Sequence, residues 1–250
     1  MITLNRQLYL SLLLICVLCL MTPHVNAAKR APWVGKSLSN NPCRGGSQGY
    51  GPYDYTLRGS LWRELKRVED YHFTAPVRNL IRGQSSTDIT ADIDYTLRAW
   101  PNHHHALNSL SRYHIRRQSS LKKSYRPQTG TPTECYFQRA INFSPEDATT
   151  RMLFSMHLHK SKHLKLANEQ YAEAIKLSPK NPIIRYNYGL LLVDLKKYDL
   201  AQQQAIIAYD ANFPLNGLKN KLIKVKHWPP KPSVKLDSKK ANKTNAPSPQ

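Results

Sequence analysis

The chain has 250 residues and a formal net charge of +21, because 37 lysines and arginines outnumber 16 acidic residues. The length is sufficient for one domain with its own hydrophobic core. The basic surplus favours anionic surroundings or partners, and general solubility is the alternative explanation for it. No P-loop, HExxH or dinucleotide-binding glycine pattern occurs, so these classes are excluded and we expect no enzyme activity and no cofactor.

Residues 1–27 are predicted to form a secretory signal peptide. The start is polar and positive at Asn5 and Arg6, residues 8–21 are almost entirely apolar, and the segment ends in small residues at Ala27. We therefore expect cleavage after Ala27 and a periplasmic or secreted protein without a transmembrane helix in its mature form. The alternative is an uncleaved membrane anchor, although the apolar run is short for a span of about 20 residues.

Two cysteines follow this segment, Cys43 and Cys135. Export permits a disulfide, and an even pair without a CxxC motif argues against a metal or redox site. A Cys43–Cys135 disulfide would hold the N-terminal segment against a helix predicted at 134–142. Two buried free thiols are the alternative.

The region before residue 118 is predicted to have two parts. Residues 28–59 are rich in Gly, Asn, Ser and Pro, which predicts an irregular segment whose tyrosines pack on the helices. Residues 60–117 are predicted to be degenerate helical repeats, because apolar spacing recurs at the length of helix hairpins. The predicted helices cover 61–71, 74–83, 87–100 and 102–117.

Residues 118–133 are predicted to be a basic insertion loop, because the stretch is polar and rich in turn residues. Six positive and no acidic side chains between 112 and 126 form a predicted basic patch: Arg112, Arg116, Arg117, Lys122, Lys123 and Arg126. This patch is a candidate site for a polyanion, and a mobile solvated loop is the alternative. The lysine-rich tail at 228–250 is disordered by composition and is a second candidate for the same role.

A fixed sequence period relates the segments between 134 and 214. Ala140, Ala174 and Ala208 recur at equal steps, and Pro145 and Pro179 are separated by the same step. A period of this length indicates stacked helix pairs. Small residues belong where two helices cross closely, which pairs Ser155 with Ala167 and Gly189 with Ala201. Pro179 ends one helix before the next begins.

This pattern resembles the tetratricopeptide repeat family over 148–214. The first repeat carries Ser155, Leu158, Ala167, Tyr171, Ala174 and Pro179, and the second carries Asn187, Gly189, Leu192, Tyr198, Ala201 and Ala208. Arg151, Arg185 and Ala205 depart from the family, which has aromatic residues there, and Phe213 precedes Pro214 where the family has proline. The resemblance implies an all-α fold of antiparallel helix hairpins stacked as a short α-solenoid. We expect repeats and a capping helix at 215–225 to fill 134–227.

The resemblance also implies a concave groove lined by the first helix of each pair. The implied groove residues are Met152, Met156, His159, Lys160, Tyr186, Asn187, Leu190, Val193 and Asp194. We therefore expect a protein-interaction scaffold of the bacterial cell envelope that binds a peptide or protein segment. The alternative is a module that binds anionic lipid, envelope polymer or nucleic acid through the basic loop and tail, although no specific nucleic-acid motif is present.

The ten histidines of the chain do not predict a metal site. Three adjacent helical residues, His103 to His105, point about 100° apart and cannot all face one ion. His159 and His163 have the i,i+4 spacing that can share a ligand, but no cysteine or carboxylate nearby completes a set.

Overall fold

The computed structural model describes residues 30–120 and 130–228. These residues form α-helices, one 3-10 turn at Tyr55–Leu57 and an isolated antiparallel bridge between Lys36 and Pro42. The helices are α1 Trp62–His72, α2 Ala75–Arg78, α3 Ile89–Ala99, α4 His104–Ser120, α5 Thr133–Phe143, α6 Ala148–Lys160, α7 Leu164–Leu177, α8 Pro182–Asp194, α9 Tyr198–Asp210 and α10 Gly217–Lys224. The predicted all-α class is confirmed.

Consecutive helices pack as pairs, and the pairs stack on each other. Helices α6 and α7 form one hairpin, and α8 and α9 form the next. Helix α6 also contacts α4 and α8, so the first helices of successive pairs lie side by side. Helix α10 packs on α8 and α9 at the C-terminal end of the described stack. The predicted short α-solenoid is therefore confirmed.

The sequence period reappears in the caps of the first helices. The side chain of Asp147 accepts hydrogen bonds from the N–H groups of Thr149 and Thr150 at the start of α6. Asn181 occupies the equivalent position in the next repeat and accepts from Ile183 and Ile184 at the start of α8. Each cap satisfies donors that the helix cannot pair internally. Equivalent local sequence thus starts equivalent helices.

The predicted helix over 74–83 is wrong beyond its first turn. Leu80 adopts a left-handed backbone conformation with φ of 60°, which ends α2. The carboxylate of Asp92 then accepts from the backbone N–H groups of Gln84 at 2.7 Å and Ser85 at 3.2 Å. These charge-assisted hydrogen bonds to the buried carboxylate hold the chain after Gly83 in a loop.

The irregular N-terminal segment is anchored on α5. A disulfide joins Cys43 to Cys135, which confirms the predicted bond. Next to it, the buried guanidinium of Arg139 donates to the carbonyl of Ala31 at 2.7 Å and to that of Leu97 at 2.7 Å. The Arg139 guanidinium also lies 4.9 Å from the ring centroid of Trp33. Covalent, polar and cation–π contacts therefore hold the segment at one place.

The hydrophobic core runs along the stack. A large cluster extends from Phe73 to Leu191, and a second cluster joins α8, α9 and α10 around Ala205 and Leu222. A third cluster around Trp100 packs the tyrosines of the N-terminal segment. Among the described helices, none has the length and apolarity that crossing a membrane requires.

Candidate functional site

A row of polar contacts connects the C-terminal halves of α6, α8 and α10. The Nε2 atom of His159 lies 2.8 Å from Asp194 Oδ2, and Nζ of Lys221 donates to Asp194 Oδ1 at 2.9 Å. Partial burial opposes ionisation of Asp194, but the hydrogen bonds from Lys221 and His159 outweigh it and hold the pKa of this carboxyl below its usual value. The row holds the ends of these three helices beside one another.

The predicted groove residues differ in exposure. Lys160 and Asp194 are exposed, while five others are half-buried: Met156, His159, Asn187, Leu190 and Val193. Met152 is only 8% exposed and Tyr186 only 7%, so both belong to the core clusters. Asn187 donates to the backbone carbonyl of Ile183 in its own helix at 2.8 Å. Met152 and Tyr186, which the resemblance places in the groove, are therefore too buried to contact a partner.

Helix α10 explains both the burial of Tyr186 and the glycine at position 189. The ring of Tyr186 packs 4.5 Å from that of Phe213, and a Cβ on Gly217 would lie 2.6 Å from the Tyr186 hydroxyl. A Cβ on Gly189 would lie 2.4 Å from Cδ2 of Leu218. The closest neighbour of Gly189 is therefore the capping helix, rather than Ala201 as the sequence suggested.

The two arginines that depart from the repeat pattern share a structural role. Arg185 donates through Nε to the carbonyl of Pro179 at 2.7 Å and through Nη1 to Gln204 Oε1 at 2.6 Å. Arg151 makes the equivalent contacts, to the carbonyl of Pro145 and to Gln170, at 3.4 Å each. Arg185 lies one sequence period after Arg151. Each residue that Arg185 contacts lies the same distance after the residue that Arg151 contacts. The arginine thus ties the preceding loop to the second helix of its own pair, a role that sequence reasoning missed.

The predicted basic patch is divided by the structure. Arg112 is half-buried and donates to the carbonyl of Arg78 and to Ser109 Oγ, so it joins α4 to the end of α2. Arg116 and Arg117 are exposed near the end of α4. Lys122, Lys123 and Arg126 lie outside the described residues, as does the tail from residue 229 onward.

The adjacent histidines contact separate partners. His103 Nε2 lies 3.1 Å from Glu69 Oε1, whereas His104 Nε2 lies 2.8 Å from Asp147 Oδ2. His105 is exposed. Burial lowers the pKa of His103, although Glu69 opposes this effect. Within residues 30–120 and 130–228, no group of three or more His, Cys, Asp or Glu side chains could hold a metal ion.

A cavity of about 420 Å³ lies away from the groove, between the N-terminal segment and the helices α5 to α7. Its wall includes Leu38, Glu134, Phe154, Leu158 and Gln170. The backbone N–H of Leu38 donates to Glu134 Oε1 at 2.8 Å, which fixes one side of the opening. The wall is mixed in polarity.

One short stretch of the N-terminal segment, Gly45 to Gly49, has the spacing GxSxG around Ser47. In hydrolases this spacing places a nucleophilic serine on a tight turn between a strand and a helix. Residues 44–49 have neither a strand nor a helix beside them, and the carbonyl of Ser47 accepts from Arg98 at 3.0 Å. The context of a nucleophile elbow is missing from this described stretch, so Ser47 is interpreted as a loop residue.

The fold defines a helical-repeat protein with an architecture that fits tetratricopeptide-like hairpins. No family model matches the chain. A stretch of 71 residues is 35% identical to BBSome complex member BBS4 of Mus musculus, and it amounts to 28% of this chain and 14% of that protein. The chain therefore matches only a small part of the length of this curated relative.

Proposed function

We propose that this protein is a non-enzymatic interaction scaffold of the bacterial cell envelope that binds a peptide or protein segment in its groove. The observation that carries the proposal is the parallel arrangement of α6, α8 and α10. It leaves Met156, Leu190 and Val193 half-buried beside the charged Asp194 row. Half-exposed apolar side chains next to fixed charges suit an amphipathic segment, which buries its apolar side and pairs its polar groups.

The comparison with BBS4 is consistent with this proposal. The name of that relative describes it as a member of a complex. A segment shared with a subunit of a protein assembly supports a role in protein contacts for this chain. The envelope location rests on the predicted signal peptide, which lies outside the described residues.

Site-specific photo-crosslinking in intact cells tests the proposal. A photo-reactive residue at Leu190 samples the groove, and the matched control at Glu173 samples the second helix α7. We expect one discrete protein adduct from the groove position, and it should still form when the irradiation is done at about 0.5 M salt, where exposed charges are strongly screened. The variant Leu190→Arg, which places a charge in the groove, should lose the partner and keep the wild-type helical circular dichroism. Adducts that are the same from both positions would refute the groove as the binding surface.

A further inference from the structure

We propose that one edge of the stack, formed by the C-terminal ends of α6, α8 and α10, binds the surface of an anionic lipid bilayer. This edge adjoins the groove set, with which it shares Lys160 and Asp194, and it consists of described residues rather than the predicted basic loop and tail. Seven exposed lysines lie on it: Lys160, Lys162, Lys165, Lys196, Lys197, Lys224 and Lys226. None of the seven has an ion pair in residues 30–120 and 130–228.

The three helices end with the same backbone geometry, and each has a lysine at the same place. Lys162, Lys196 and Lys226 adopt left-handed φ angles of 67°, 60° and 61°. The N–H of each lysine bonds to the carbonyl three residues earlier, and the next N–H bonds to the carbonyl five residues before it. This is the Schellman motif, in which glycine is favoured and asparagine tolerated, because other side chains strain the backbone.

The lysines at these turns are therefore not explained by conformation. The second helix α9 ends with the same motif and has Asn212 at the left-handed position, with φ of 58°. The turns that follow α6, α8 and α10 use lysine instead, at a conformational cost. A positive charge near a helix C-terminus interacts favourably with the helix dipole, but the neighbouring Lys160 and Lys197 already supply it.

The polar row brings these helix ends together. Asp194 contacts His159 near the end of α6 and Lys221 on α10, so the three ends lie next to one another. Two acids belong to the same edge. Asp194 is neutralised by these partners, and Asp199 approaches His227 at 3.7 Å. The edge keeps a strong positive charge.

Apolar side chains next to the lysines distinguish a bilayer from other anionic partners. Leu166 is 42% exposed, Leu200 is 44% exposed and Ile223 is 48% exposed, one beside each turn. Leu166 and Leu200 occupy equivalent positions in successive repeats, so the feature repeats with the fold. Aliphatic side chains can enter the boundary between lipid headgroups and acyl chains, while lysines interact with the anionic headgroups. Bidentate phosphate contacts to nucleic acid would instead favour arginine, and the seven basic residues of the edge are all lysines.

Substitution by asparagine separates membrane binding from folding. The full chain and the triple variant Lys162→Asn, Lys196→Asn, Lys226→Asn are mixed with phosphatidylglycerol–phosphatidylcholine vesicles near physiological salt, and with phosphatidylcholine vesicles alone. At about 1 kcal/mol for each lysine near an anionic surface, affinity for the anionic vesicles should fall about hundredfold. The thermal midpoint should stay equal or rise, because asparagine tolerates the left-handed conformation better.

Two further variants control for charge and for backbone. The triple variant Lys66→Gln, Lys176→Gln, Lys180→Gln removes the same charge away from the edge and should change vesicle affinity less than about threefold, because screening acts over about 8 Å. The variant Lys165→Gln, Lys197→Gln, Lys224→Gln changes the edge at ordinary backbone positions outside the groove set and should match the asparagine variant. Equal affinity of either edge variant and the control variant would overturn the proposal.

Variants of the exposed apolar side chains on the edge distinguish binding to a bilayer from binding to DNA. Leu200→Ser together with Ile223→Ser should weaken binding to anionic vesicles about tenfold or more, and leave binding to duplex DNA unchanged. If the full chain bound duplex DNA through the edge lysines but did not bind the vesicles, the bilayer would be the wrong partner. The photo-adduct from Leu190 should persist in every edge variant, so the edge and the groove can fail independently.

Discussion

The buried histidine of α6 makes the stability of the fold dependent on pH. The His157 side chain is fully buried, its Nδ1 lies 3.0 Å from Ser111 Oγ, and its ring packs 5.6 Å from that of Phe137. Burial, with a smaller contribution from the positive charge of His114, lowers the pKa of His157 to about 3. The folded protein therefore keeps this imidazole neutral well into the acidic range.

The sign of the effect follows from proton binding in the two states. In the unfolded chain His157 has an ordinary pKa of about 6.5. As the pH falls below about 6.5, the unfolded chain binds a proton that the folded chain does not bind, so the free energy of unfolding decreases until about pH 3. At about pH 5, which is about 1.5 pH units below the unfolded-state pKa, protonation of His157 stabilises the unfolded state by about 2 kcal/mol. A folded pKa one unit higher would leave this value almost unchanged.

A double variant isolates this contribution. Ser111→Ala with His157→Phe removes the titrating ring and its hydrogen-bond partner together, so neither polar group is left buried alone. Urea unfolding is followed by circular dichroism at about pH 7.5 and about pH 5. When the pH falls from about 7.5 to about 5, the free energy of unfolding of the wild type should decrease by about 2 kcal/mol more than that of the double variant. The acids and the histidines away from His157 titrate in both proteins and cancel in the comparison. The neighbouring His114 contributes little to the difference, because its lowered pKa comes chiefly from burial, which both proteins share. Equal losses would refute the assignment of a neutral buried His157.

Three further predictions concern the contacts that hold the stack together. Arg185→Ala should lower the free energy of unfolding by about 1 kcal/mol in urea titrations, because two hydrogen bonds are lost, whereas Lys180→Ala should have no measurable effect. Gly189→Ala should accelerate amide exchange in α10 by displacing Leu218, while the helix-propensity gain of about 1 kcal/mol limits the global loss; unchanged exchange would contradict this packing. Cys43→Ser with Cys135→Ser should destabilise the chain by about 2–5 kcal/mol in thermal unfolding, because the bond joins cysteines at a sequence separation of 92, and a smaller loss would show that the buried Arg139 alone anchors the segment.

The part of the fold that the sequence predicts well is the part that repeats. Alanines at positions 140, 174 and 208 are all fully buried, and Ala167 and Ala201 are buried as well. Helix crossing allows only small side chains at such positions, so the constraint appears directly in the sequence. Helix caps are also visible in the sequence, since Asp147 and Asn181 each accept hydrogen bonds from backbone N–H groups at a helix start.

The contacts that sequence reasoning missed depend on tertiary partners with weak local signals. Arg151 and Arg185 looked like departures from a pattern, yet both bond to a loop carbonyl and a glutamine at equivalent places. The signal was present, because Gln170 and Gln204 are also separated by one sequence period. By contrast, nothing near Tyr186 indicates that Phe213 would cover it. Whether a later segment buries a side chain depends on tertiary packing, which the local sequence does not indicate.

The proposed groove and the proposed lysine edge could act at the same time. Met156 and Leu190 lie about one helical turn before Lys160 and Asp194, so the groove crosses the helix faces while the edge consists of the helix ends. A bilayer on the edge would contact the turns at Lys162 and leave the groove open to a partner. Because Asp194 belongs to both surfaces through His159 and Lys221, it also fixes their relative position. A scaffold with this arrangement would hold its protein partner beside an anionic membrane.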